Sequence, residues 1–394
     1  MTRQHELVVF GATGYTGRIL TAYLADHHGG LRLALAGRDP DKLQELCRSL
    51  GLELPLLQAD TSDPASMRAL AASTRAVVST AGPFALHGDA LVDACVAEGT
   101  HCCDITGEVP WVRGVIDRNH EAARERGVRL VSMCGYDSVP SDLGCLLLQD
   151  AVHARHGRYA PRVDTLVGPA RGGISGGTIA SASLLLERRR DPEVAPYLSD
   201  PGALTPGFHP PRRPDTQGVE RVDGGFGAPF VMAGINGRVV HRTNLLAGHP
   251  WGEDFVYREQ LWCGRGPRGW LRAWSILGFT AAFLGGMTLG PTRALLRTVL
   301  LPAPGRGPSE ESRRRGFFRH RLVARDGETV LGRLSMEADL DPGYGATAAM
   351  LAECALQTLD PATSTCGALT PAHAFGPALR PRLEAAGFRF SIET

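Results

Sequence analysis

The run Gly11-Ala12-Thr13-Gly14-Tyr15-Thr16-Gly17 constrains this chain most, because it lies between an apolar stretch, Leu7–Phe10, and a helical pattern reaching to about Asp26. A backbone that leaves a strand, turns at once and enters a helix packed on the same sheet needs residues without a Cβ. The same glycines let helix-start amides approach a pyrophosphate, where the helix dipole favours an anion. The spacing is G-x-x-G-x-x-G, and a glycine trio alone also fits an ordinary strand-to-helix turn. The second strand decides the reading, ending in Ala36-Gly37-Arg38 about 20 residues on, where an NAD site carries an acid for the ribose 2′-hydroxyl. Arg38 instead suits a 2′-phosphate, although Asp39 follows it. NADPH is the expected cofactor, on Gly11, Ala12, Thr13, Gly14, Tyr15, Thr16, Gly17 and Arg38.

Strand and helix signals then alternate to Cys134. Leu31–Ala36, Leu54–Gln58, Ala76–Ser79, His101–Ile105 and Val128–Met133 read as strands; Pro40–Leu50, Gly88–Glu98 and Pro110–Arg126 read as helices, with another started by Asp63-Pro64. Strands apolar throughout belong in a sheet covered on both faces. The expected fold class is α/β, a Rossmann-type doubly wound parallel sheet with a second α+β substrate domain. Asp60, after the third strand, is a candidate for the adenine loop. Thr80, Ala81, Gly82 and Pro83, after the fourth, should pass the nicotinamide ribose. Asp104–Glu108 and Cys134–Asp142 should emerge on the same rim, where open α/β sheets bind ligands. Asp142 is either a site residue or a helix cap.

Beyond Cys134 the rhythm changes. Ser141–Ala154 reads as a helix, Val163–Val167 as a strand and Thr178–Glu187 as an apolar helix. Asp191 to Gly227 is dense in Pro, Gly and Arg and reads as a surface excursion or lid. Alternation at Arg238–Leu246, Gly316–Arg325 and Glu328–Ala338 predicts antiparallel strands. Asp341–Gly345 reads as a turn before a helix to about Leu359, and Pro371–Ala386 as a last helix. The expected division is 1–140 for the cofactor domain, 141–340 for the second domain and 341–394 for helices returning to the first. The 18 residues Ala273–Gly290 carry no charge. A bilayer span, a buried hairpin, an apolar substrate wall and an interfacial anchor are all open readings.

Composition removes several classes. Lys plus Arg number 42 and Asp plus Glu 41, a formal charge of +1, which is no nucleic-acid footprint. Lys42 is the only lysine, which all but removes Schiff-base chemistry. The nine cysteines are dispersed with no C-x-x-C pair, so no zinc or redox site is expected and they read as small buried hydrophobes. With no signal-peptide pattern at the N-terminus, the expected location is a reducing cytoplasm, with membrane association open.

The stretches GATGYTGR, STAGPF, DITGE, CGYDSVPSDLG, ISGGTIAS, GRGPSEESR and DPGYGATAAMLAE together resemble the saccharopine dehydrogenase-like oxidoreductases, and within them the bacterial trans-acting enoyl reductases. The resemblance covers nearly the whole chain. It implies an NADPH-binding Rossmann domain, a central domain closing over the nicotinamide, and a Gly343–Leu359 helix packed with the first domain. It further implies reduction of a C=C bond in an acyl or polyketide-type intermediate, with an imine or amino-acid dehydrogenase and a non-catalytic, lipid-associated nucleotide binder as alternatives. Tyr136 is then the first candidate for proton donor or oxyanion stabiliser, with Ser138 and Asp137 next. Thr178 would hold the thioester or carbonyl. Saccharopine reductases handle a charged amino-diacid, whereas Ala273–Gly290 offers apolar surface, which favours a greasy or carrier-tethered substrate. An acyl carrier protein, a homodimer and peripheral membrane contact are open as partners.

Overall fold

The computed structural model describes residues 3–172, 181, 184–185, 187–211, 218–288 and 310–394. Strands β1 (His5–Phe10), β2 (Leu33–Gly37), β3 (Leu56–Gln58), β4 (Thr74–Ser79), β5 (His101–Asp104) and β6 (Arg129–Val131) alternate with helices. They are followed by β7 (Arg162–Val167), β8 (Glu220–Val222), β9 (Gly225–Pro229), β10 (Val256–Gly264), β11 (Phe318–Asp326) and β12 (Thr329–Ala338), and the C-terminal stretch adds β13 (Gly367–Leu369) and β14 (Arg389–Glu393). Among the described residues these make two sheets. The first, ordered β13-β6-β5-β4-β1-β2-β3, is parallel throughout. The second, β14-β12-β11-β7-β10-β9-β8, is mixed: β7 and β10 run parallel and their other neighbours antiparallel.

The first sheet is doubly wound because its strands are apolar on both faces. Leu7, Val9, Leu35 and Val78 enter one core cluster, while Val8, Phe10, Ala34, Ala36 and Val77 enter the other. Its helices start where the residues allow. Asp39 accepts from the Lys42 amide ahead of Pro40, and Asp63 from the Ala65 amide ahead of Pro64. The helix Thr347–Gln357 is buried along its whole length between the helix Tyr15–His27 and strands β4 and β5. The helix Val139–His156 carries the chain across to the second sheet, lying on β11 and β12. Gly144 permits that contact, since a Cβ there would come within 3.1 Å of Leu322. Eight of the nine cysteines are buried, as small hydrophobes should be.

Several local expectations are corrected. Arg238–Leu246 is not a strand but part of the helix Ala233–Leu246. Its inward positions include polar Asn236, Arg242 and Thr243, whose burial is offset by hydrogen bonds, so the apolar pattern misled. The Asp191–Gly227 stretch is not wholly a surface excursion: Val194, Ala203, Leu204 and Thr205 are buried. Arginines hold it down by taking its carbonyls. Arg238 donates to Leu198 and Asp200, Arg242 to Leu204, and Arg113 to Ala203. Pro342–Ala346 is a π-helical turn that runs straight into the next helix. The last helix breaks at Gly376 into Pro371–Phe375 and Leu379–Ala385. Strands β13 and β14 were not anticipated; β13 lengthens the first sheet and β14 the second. The uncharged segment lies in the helix Gly266–Thr288, of which 273–288 are described, and no helix among the described residues is long and apolar enough to cross a membrane.

Candidate functional site

Register puts the ends of the central strands level: Phe10 pairs with Ala36 on β2 and with Ser79 on β4. The glycine turn, Arg38 and Thr80 therefore leave the sheet side by side. Gly11 takes φ +80°, and a Cβ there would press on the Ala81 amide nitrogen at 3.0 Å and the Thr80 hydroxyl at 3.1 Å. At Gly17 a Cβ would lie 2.4 Å from the Gly11 carbonyl oxygen, so only glycine lets the helix sit this close to the turn. Gly14 is the exposed N-cap of that helix and supplies no side-chain cap. The first-turn amides thus stay available to a phosphate, which is the test a dinucleotide site must meet. Ala12 is buried, and Thr13 and Thr16 are half-buried beside the turn. The Tyr15 ring meets Tyr344 edge-on at 4.4 Å, with the Arg313 guanidinium 5.9 Å from its centroid.

The two acids near Arg38 are already engaged. Asp39 caps its helix and pairs with Lys42 at 3.2 Å. Asp60 accepts from the Ser62 amide and hydroxyl, both at 2.9 Å, and these hydrogen bonds hold its carboxyl below the usual range. Arg38 is exposed and forms no ion pair among the described residues, which leaves it open to a 2′-phosphate. The Thr80 hydroxyl donates to the Gly11 carbonyl at 3.1 Å, tying the fourth loop to the first. Glu108 fixes the segment after Gly82 and Pro83. It accepts from the Phe84 and Ala85 amides, each at 2.9 Å, and from the Ser181 hydroxyl at 2.6 Å.

Past β5 and β6 the rim opens into a small cleft of about 40 Å³ lined by Thr16, Thr106, Asp137, Ser138, Gly343 and Thr347 among others. Asp104 braces its floor, accepting from the Thr106 amide at 2.9 Å and the Ser132 hydroxyl at 2.8 Å. Burial raises its carboxyl to about 6. Asp137 is exposed at this cleft, and desolvation by the protein around it pushes its carboxyl above its ordinary value. The Thr106 hydroxyl accepts from the Glu108 amide at 3.0 Å, and its own hydrogen has no acceptor among the described residues.

Tyr136 does not join them. Its phenol turns into the packing between the sheets, 2.8 Å from His320 Nε2, with its ring 4.8 Å from that of Phe318. The expectation of a phenol on the nicotinamide rim is corrected accordingly. Burial pushes this hydroxyl well above the usual tyrosine range. Thr178 lies outside the described residues. Asp142 is a brace: buried at the start of its helix, it accepts from the Thr243 hydroxyl and, at 2.8 Å, from the Ala372 amide. Burial raises it to about 7.

A buried polar chain behind Ser138 was missed in the sequence. Ser138 donates to Asn236 Oδ1 at 3.0 Å, Asn236 Nδ2 donates to Glu259 at 2.9 Å, and Ser141 donates to the same carboxylate at 2.8 Å. Asn236 and Glu259 sit in stretches with no motif, and only the fold brings them together.

A doubly wound parallel sheet with a glycine turn that no side chain caps, followed after β2 by an arginine in no ion pair among the described residues, is the frame of a Rossmann-type dinucleotide-binding protein. Residues 7–131 match the saccharopine dehydrogenase NADP binding domain. A protein of Mycobacterium tuberculosis (strain H37Rv), provisionally named a trans-acting enoyl reductase, is 36% identical over 98% of this chain and 96% of its own. The trans-acting enoyl reductase of Mycobacterium ulcerans is 33% identical over 98% of this chain and 97% of its own. Saccharopine dehydrogenase (L-Glu forming) from Saccharomyces cerevisiae shares the fold, with a TM-score of 0.53 and 13% identity over 99% of this chain and 100% of that one. The chain belongs to the saccharopine dehydrogenase-like oxidoreductases, in the trans-acting enoyl reductase branch, and its cofactor is NADPH.

Proposed function

We propose that this reductase saturates the C=C bond of an α,β-unsaturated acyl thioester tethered to a separate carrier. Its relatives' name supports this, and so does a carboxyl, Asp137, in the cleft beside the cofactor turn. NADPH, when bound, supplies a hydride, which the β carbon would receive. The chain's own task is to hold the thioester carbonyl and deliver a proton to the α carbon. Asp137 is the group placed to carry that proton, since desolvation raises its carboxyl above its ordinary value. Thr106 turns its unused hydroxyl hydrogen toward the carbonyl oxygen as charge builds there. Ser138 donates its own hydrogen to Asn236 and so offers lone pairs to the cleft; it positions by accepting, not by giving a proton.

The test is NADPH oxidation with enoyl thioesters, run beside a keto acid plus an amine. Turnover of the thioester, and a fall in kcat of about 10²-fold or more in Asp137→Asn with NADPH affinity intact, is the expected result. Turnover of only the keto acid with amine would make the enzyme an imine-forming dehydrogenase. Full activity in Asp137→Asn would remove the carboxyl from the mechanism.

A further inference from the structure

We infer that the helix Gly266–Thr288 docks the enzyme on an anionic lipid surface. One side of this helix packs on β9 and β10, burying Gly269 and Ala273. The other side is open and apolar: Trp270 is 48% exposed, Leu271 61%, Trp274 48% and Phe279 69%. Of seven large hydrophobic residues exposed among the described residues, four lie on this helix. Such side chains scattered singly would need no explanation, but their gathering on one element does.

Charge points the same way. Arg265, Arg268 and Arg272 are exposed at the start of the helix and take no carboxylate partner among the described residues. Elsewhere the surface arginines are commonly paired, as in Arg118–Asp89, Arg158–Asp326 and Arg314–Glu310. No Asp or Glu occurs between Glu259 and Glu310, so no acid close in sequence can neutralise the three.

The helix thus sets unpaired guanidiniums beside two tryptophans, and Ala273–Thr288 follows with no charge at all. Arginines suit lipid phosphates, tryptophans the headgroup boundary, and Leu271 and Phe279 the edge of the acyl layer. An acidic protein would satisfy the arginines. It would still leave Phe279, about 10 Å further along the axis, in a stretch with no charge to recognise. A bilayer surface satisfies both ends. The helix is inferred to lie on the membrane; no helix among the described residues is long and apolar enough to span it.

The experiment is co-sedimentation of the full-length protein with phosphatidylcholine vesicles, with and without phosphatidylglycerol, while tryptophan emission is followed. The expected result is binding to the anionic vesicles alone, a blue shift on binding, and release by salt. Arg268→Gln with Arg272→Gln should lower partitioning about fivefold per charge. Trp274→Ser with Phe279→Ser should lower it more than about tenfold. NADPH affinity should hold in every variant, showing that the fold is intact. Failure of the wild type to bind either vesicle, or undiminished binding by both double variants, would overturn the inference. So would a dimer in light scattering that the Trp274→Ser, Phe279→Ser variant splits, because the face would then belong to a second copy.

Discussion

The phenol of Tyr136 lies 2.8 Å from Nε2 of His320, joining the loop after the sixth parallel strand to the middle of the second sheet. Both groups are buried, and no other hydrogen bond reaches the His320 ring among the described residues. This contact makes Tyr136 a residue of the interface between the sheets.

Tyr136→Phe should therefore cost stability and spare turnover. Removing one partner of a buried hydrogen bond costs about 1–3 kcal/mol, read as a lower denaturation midpoint. With Asp137 as proton donor, kcat on an enoyl thioester should change by less than about fivefold, far short of the loss expected for a general acid.

Burial lowers His320 to about 4, from 6.5. The folded state keeps this ring neutral while the unfolded chain can protonate it. Its contribution is therefore intact above pH 6.5 and is lost as pH falls toward 4. The raised carboxyls of Asp104 and Asp142 act in the opposite sense, so the informative quantity is a difference. The stability gap between wild type and His320→Gln should narrow from pH 7.5 to pH 5 in parallel thermal melts. A gap independent of pH would show that the ring is not held neutral by the fold.

Arg38→Ala should weaken NADPH by about 1.5–3 kcal/mol, the range for a hydrogen bond to a charged group, and leave NADH nearly unchanged. Titration of both cofactors reads this directly. Equal weakening of the two would mean that Arg38 supports the loop and does not read the 2′-phosphate.

Gly17→Ala places a methyl 2.4 Å from the Gly11 carbonyl oxygen, with no flexible side chain to yield. Either the helix or the turn must move, so NADPH affinity should fall at least about tenfold even if the protein stays folded, because a small misplacement of preorganised donors is costly. Calorimetric titration with circular dichroism separates loss of binding from loss of fold. Unchanged affinity would show that the turn does not hold the pyrophosphate.

The first sheet was legible because each step rests on local chemistry: apolar runs at Leu7–Phe10 and Ala76–Ser79, glycines at forced backbone positions, and Asp-Pro pairs that start helices. The strand-to-helix turn at Gly11–Gly17 and the strand end at Arg38 were legible for the same reason. Each answers to a constraint within a few residues of itself. The helix Ala233–Leu246 was misread because its inward side carries Asn236, Arg242 and Thr243, whose partners are distant in sequence. Their burial cannot be inferred until those partners are in place.

The direction of each side chain at the rim shows the same division. Tyr136, Asp137 and Ser138 are consecutive, and all three are plausible acids or donors by residue type. Only packing separates them: Phe318 and His320 take the tyrosine ring, Asn236 takes the serine hydrogen, and the aspartate is left facing the cleft. The sequence by itself determined the Rossmann sheet and pointed to NADPH, since backbone geometry and charge at the strand ends are local properties. The tertiary structure alone decided which group faces the cleft, because burial, desolvation and hydrogen-bond direction exist only once distant strands have met.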